Sequence, residues 1–275
     1  MSVIFKQKDH VYQSQPGRDQ INWVSVTSFV SRFKKKFDAE AAALKASKNK
    51  KSKWYGMDPA EIQAVWASDS TRAIDLGNWY HNQREADITA IGTIEKNGVT
   101  VPVFKPIYDG EDKLSPDQQL VEGIYPEHFV YLESIGVCGQ SDRVEVVNGI
   151  VDIIDYKTNK EIKKEGFKNW EGVSEKLLPP LSHLDDCNYN HYSLQLSLYM
   201  YIILKHNPNL RPGKLILHHI TFKESGDKDK YGNKILLKDY NGDPIVDQII
   251  PYELPYLRAE IQSMLKFGKE DGKNI

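Results

Sequence analysis

The sequence predicts one α/β domain with helical elaborations, and three observations carry that expectation. Two runs rich in Val and Ile flank Asn148-Gly149, the strongest short-range signal for a β-hairpin. Helical patterning runs from Asp58 into His81 and returns from His191 to about Lys205. No internal repeat or linker divides the 275 residues, which suffice to bury a core.

In chain order, residues 3–13 read as a strand ending at the turn Gln15-Pro16-Gly17. Trp23 to Thr27 leads into Ser28–Phe33, where a hydroxyl residue can cap a helix. Lysines follow, and Lys50, Lys51 and Lys53 close on Trp54-Tyr55. Basic residues ending in aromatics suit a single nucleic-acid strand, whose phosphates meet lysines and whose bases stack on rings. A solvated helix followed by a flexible loop would read the same way. Asp58-Pro59-Ala60-Glu61 is a helix start, with an acceptor at the cap and proline first. On that helix His81 and Glu85 share a face, although a lone helical histidine is as readily surface or core. Residues 91–107 resemble an Asn97-Gly98 hairpin, and Gly110 to Gly123 reads as loop or short helix. Glu127 precedes a strand-like run to Glu133 that enters the central hairpin. Asn159 to Asn190 is long and polar, a length that often gates or clamps a substrate. Gln195 and Tyr199 lie four apart on the next helix and reach one target, or are ordinary members of it. Strands at 215–222 and 246–250 and a helix at 255–267 complete the chain.

The central hairpin carries the chemistry. With Asn148 and Gly149 as the loop, Val147 faces Ile150 and Asp142 falls opposite Asp155. Side chains alternate along a strand, so Asp155 and Lys157 share a face. Cross-strand partners lie roughly 5 Å apart, and like charges there destabilise the sheet. A cation between the carboxylates would resolve the conflict. A three-residue loop would instead put the two acids on different faces, and Asp-x-Lys alone would read as a solvated pair.

Composition excludes several classes. Hydrophobic content of 40% and charged content of 27% are ordinary for a soluble globular protein. A net charge of −2 rules out a generally basic coat, so phosphate contacts must come from local patches. The N-terminal residues show no apolar signal core, and Leu194–Leu204 is too short to span a bilayer. Two cysteines, Cys138 and Cys187, exclude a four-cysteine cluster within one chain and suit free thiols in a reducing cytoplasm.

Taken in order, Gly77-x-x-x-His81, Gly139-x-x-Asp142, Asp155-Tyr156-Lys157-Thr158 and Gln195-x-x-x-Tyr199 resemble the PD-(D/E)xK nuclease superfamily. The likeness is to its RecB-like branch over roughly residues 23–204. Ser25-Val26-Thr27 and the Asp-Tyr-Lys-Thr form are similar to mitochondrial genome maintenance exonucleases and their phage relatives. The chain lacks the cluster cysteines of the CRISPR adaptation nucleases and helicase–nuclease subunits, and it lacks helicase motifs.

The resemblance implies a restriction-endonuclease-like core: a central mixed sheet flanked by helices, with an N-terminal helical elaboration. It implies a single nuclease domain over 1–275, with 23–92 helical and 126–225 catalytic. His81, Asp142, Asp155 and the Tyr156 carbonyl would ligate Mg²⁺ or Mn²⁺, the imidazole favouring Mn²⁺. Glu127 lies where some relatives carry an acid. Lys157 would orient or deprotonate the attacking water, its pKa lowered beside bound cations. Gln195 and Tyr199 would contact DNA and brace Lys157. The expected activity is that of an exonuclease on single-stranded DNA in replication, recombination or repair, with unwinding left to a helicase or recombination partner. A structure-specific endonuclease and a non-catalytic nucleic-acid-binding protein are the alternatives.

Overall fold

A computed structural model describes residues 3–270. One compact unit comprises the described residues up to Lys34 and those from Arg84 onward, and the second comprises Lys35–Gln83.

The first unit opens with a hairpin of β1 (Val3–Lys6) and β2 (Val11–Ser14), where a single strand was expected. Its turn puts His10 at φ 54°, without the Asn-Gly pair that would announce it. β3 (Val24–Ser25) leads into α1 (Val26–Ser31), and the hydroxyl residue that caps it is Ser25. The Ser25 hydroxyl accepts the Ser28 N–H at 3.0 Å.

The second unit holds α2 (Ala39–Lys48), capped by Asp38, and most of α3 (Pro59–Ala90), whose first turn meets Asp58. Lys50, Lys51, Lys53 and Tyr55 are exposed in the turns between these helices. Trp54 is half-buried edge-on to Trp66, with the Lys53 ammonium 4.4 Å from its ring centre.

Back in the first unit, β4 (Thr93–Lys96) and β5 (Val99–Pro102) form the expected Asn97-Gly98 hairpin. The polar stretch from Gly110, expected as loop or short helix, holds β7 (Asp112–Leu114); it pairs with β6 (Ile107–Asp109) just before that stretch, and both join β1 and β2 in a four-stranded sheet. Turning at Gly110, with φ 60°, is what makes that hairpin possible.

The central sheet is mixed. It contains β8 (Gly123–Leu132), β9 (Val137–Val147) and β10 (Ile150–Lys157). After α4 (Asn188–His206), β11 (Arg211–Phe222) pairs parallel with β10. A small hairpin, β12 (Glu224–Lys228) and β13 (Lys234–Leu236), precedes β14 (Val246–Leu254), which closes the sheet beside β11. α5 (Arg258–Glu270) follows. Core packing explains α4: Leu194, Leu196, Leu198, Met200 and Ile202 are fully buried against Val144, Val151, Ile153 and Leu217 of the sheet.

β9 changes partner along one edge. Val137 and Cys138 pair with β3, and Arg143 to Val147 pair with β10. The residues between, 139–142, belong to neither ladder on that edge. The Tyr199 ring packs against them: a Cβ on Gly139 would lie 3.0 Å from that ring and 3.3 Å from Val26. Gly139→Val should therefore cost about 2 kcal/mol through overpacking. A fall in melting temperature measures it.

Candidate metal centre

Register places the acids. Asn148 and Gly149 adopt φ values of 53° and 68°, as a two-residue turn of this hand requires. The β9–β10 ladder then runs from Ile150–Val147 to Ile154–Arg143, and that register carried one step further sets Asp155 opposite Asp142. There the ladder yields to a side chain. The Tyr156 N–H donates to Asp142 Oδ2 at 2.7 Å.

On the other side of β9, Pro126 pairs with Arg143 and His128 with Ser141, so Glu127 stands opposite Asp142 as well. Glu127 has φ 47°, a left-handed conformation that costs a non-glycine residue roughly 1–3 kcal/mol and clusters at functional sites. Glu127, Asp142 and Asp155 thus form a row across three neighbouring strands. The Glu127 and Asp142 carboxylates approach within 4.8 Å. Asp155 is only 1% exposed.

Two lysines balance this row. Lys157 Nζ lies 2.6 Å from Asp155 Oδ2 and 5.2 Å from the centre of the Tyr192 ring. Burial pulls the Lys157 pKa down, but Asp155 and then Asp142 push it up, and the carboxylates prevail. The second cation escaped the sequence reading. Lys113, on β7 and buried, places its Nζ 3.6 Å from Glu127 Oε2. Burial lowers its pKa, while Glu127, Glu85 and Asp142 oppose that shift. Glu85 joins this neighbourhood by accepting a hydrogen bond from the Tyr108 hydroxyl at 3.0 Å.

From α4, Tyr199 faces the acids and bonds Gln195. Its phenol stays protonated, raised first by burial and then by Tyr12, Asp155 and Asp142. Tyr199 is 3% exposed and reaches inward, and the half-buried Gln195 is the more accessible of the two. The Tyr192 ring lies beside the Lys157 ammonium. The Tyr192 hydroxyl donates to Asn159 Oδ1 at 2.6 Å, and His219 Nε2 donates to the Asn159 carbonyl at 2.6 Å. Beside Glu127 and Lys113 lies a cavity of about 220 Å³ lined also by Phe104, Tyr125 and His128. His128 stays neutral, its pKa pushed down to about 3 by burial and by Lys113. His81 lies on the part of α3 within the second unit, one turn before Glu85 along the same helix.

The donor set fits a hard divalent cation. Carboxylate oxygens on rigid strands are what Mg²⁺ and Mn²⁺ select. Each carboxylate offers about four acceptor sites, so the Tyr156 N–H does not exhaust Asp142.

No family model and no curated protein matches the chain. Among solved structures, the crystal structure of SSO0001 is similar over 94% of this chain and 80% of that one, at 14% identity and a TM-score of 0.32. At that level the two folds differ too much for either to inform the other. Among the described residues, no helix is long and apolar enough to cross a membrane.

Proposed function

We propose that this protein is a metal-dependent deoxyribonuclease built on a PD-(D/E)xK core. The observation that supports it most is the row Glu127–Asp142–Asp155 with the Lys157 ammonium 2.6 Å from Asp155. A fold gains nothing from gathering like charges in this way, and a cation-dependent reaction needs them.

Asp142, Asp155 and Glu127, with the Tyr156 carbonyl, are the ligands we assign to Mg²⁺ or Mn²⁺. Such an ion supplies Lewis acidity toward a phosphodiester and lowers the pKa of water. The protein's own groups do the rest. Tyr156 anchors Asp142 through its N–H, so the ligand does not drift as charge arrives. Lys157 orients the attacking water and meets the negative charge that grows on the phosphate. Tyr192 limits the swing of that ammonium, and Tyr199 packs behind the acids and excludes water from their rear.

We assign single-stranded DNA as substrate and cutting from an end as the mode. Lys50, Lys51, Lys53, Trp54 and Tyr55 give the strand a local basic and aromatic surface in a chain of net charge −2. A helicase or recombination partner would then supply the strand. Labelled linear single-stranded DNA should be degraded with Mg²⁺ or Mn²⁺ and spared with chelator, while a covalently closed circle of the same sequence should survive. Rapid cutting of the circle would replace this mode with the endonuclease reading. Inertness toward every DNA form with metal present would favour a non-catalytic binding protein.

A further inference from the structure

Across the sheet from Lys157 stands His219, its partner in the parallel register of β10 and β11. His219 is 4% exposed. Its Nε2 lies 2.6 Å from the Asn159 carbonyl oxygen, which can only accept, so that nitrogen carries the proton. Its Nδ1 is buried and meets no hydrogen-bond partner among the described residues, so the bond to Asn159 is the one this ring makes. An imidazole with one nitrogen unmatched serves the fold less well than a buried apolar side chain would. The bond it does make lands on an exposed residue two positions beyond Lys157. An exposed asparagine ordinarily turns freely in solvent, but the Asn159 Oδ1 receives the Tyr192 hydroxyl at 2.6 Å. The Tyr192 phenol keeps its proton and donates, its pKa raised first by burial. Its ring centre then lies 5.2 Å from the Lys157 Nζ, close enough for the ring to attract the ammonium.

We infer that His219 and Asn159 are positioning residues for the reaction: His219 fixes Asn159, Asn159 fixes Tyr192, and the Tyr192 ring confines the Lys157 ammonium beside Asp155. This rests on the nuclease reading above and adds to it two residues outside the acid row. Lysine carries its charge on a flexible four-carbon stem, and one contact to Asp155 leaves that stem free to swing about it. A reacting group held loosely loses rate more than affinity, so the chain acts on kcat.

Steady-state cleavage of linear single-stranded DNA by the full-length protein at saturating Mn²⁺, beside calorimetric Mn²⁺ affinity, tests the chain. Tyr192→Phe keeps the ring and loses the bond to Asn159, while Asn159→Ala keeps the carbonyl and loses the Oδ1 acceptor. Each should lower kcat about five- to tenfold, the scale of one hydrogen bond, with KM and Mn²⁺ affinity within about twofold of wild type. The double variant should fall no further than the weaker single one, since both changes break the same bond. His219→Leu should lower kcat similarly, and His219→Gln, whose amide N–H can reach the same carbonyl, should restore it to within about twofold. The first two changes are mild and should leave the fold intact, so they decide the matter if His219→Leu folds poorly by circular dichroism. Unchanged kcat in both Tyr192→Phe and Asn159→Ala, or losses that multiply in the double variant, would overturn the inference. So would Mn²⁺ affinity that falls as far as kcat, or His219→Gln as impaired as a folded His219→Leu. A wild type that binds Mn²⁺ and cuts no DNA would overturn the nuclease reading, and this role with it.

Discussion

Asp155→Asn should lower cleavage of linear single-stranded DNA by about a thousandfold or more, the scale of several kcal/mol of lost charge stabilisation. The change is nearly isosteric and the site is almost wholly buried, so the protein should still fold. What disappears is a charged oxygen donor at one end of the row, between Asp142 across the hairpin and Lys157 two residues on. A gel assay against the wild type at matched Mn²⁺ reads the effect. Cleavage within tenfold of wild type would remove Asp155 from the site.

Lys157→Ala should separate binding from chemistry. Asp155 would then lose its nearest cation while remaining 1% exposed, and an uncompensated buried charge of this kind costs about 3 kcal/mol. Melting temperature should therefore fall without metal and recover when Mn²⁺ is added, because the ion takes over the compensation. Cleavage should not recover. A variant that melts like the wild type without metal would show that the Lys157–Asp155 pair is not coupled as its 2.6 Å separation implies. One that cuts DNA normally would remove Lys157 from the mechanism.

The parts of this arrangement legible in the sequence are those with a local physical code. Asn148-Gly149 dictates a turn with both residues at positive φ, and that turn sets the register which brings Asp142 and Asp155 together. Asn97-Gly98 works in the same way. Alternation places Lys157 on the face of Asp155 without further information. The burial of α4 follows from its apolar run.

What was not legible is non-local. Glu127 meets Asp142 because β8 and β9 are joined by a short turn at Glu133–Ile135 that ends at Gly136 with φ 61°, a register that no dipeptide announces. Lys113 reaches the site only because a second sheet folds over the first, and its surrounding sequence, Glu111-Asp112-Lys113-Leu114, reads as solvent-exposed loop. Tyr192 precedes the Gln195-x-x-x-Tyr199 spacing by three residues and shares its face, so periodicity admitted it, but nothing distinguished it from other aromatic residues of the helix.

The most direct test of the metal centre is thermal unfolding of the chelator-stripped wild type with and without Mn²⁺, beside Asp155→Asn. An ion bound by the native row alone stabilises the fold by about 2.7 kcal/mol at a hundredfold excess over Kd. The wild-type melting temperature should rise by several degrees, and that of Asp155→Asn should rise much less. A wild type whose melting temperature ignores millimolar Mn²⁺, with or without a DNA strand present, would contradict the account.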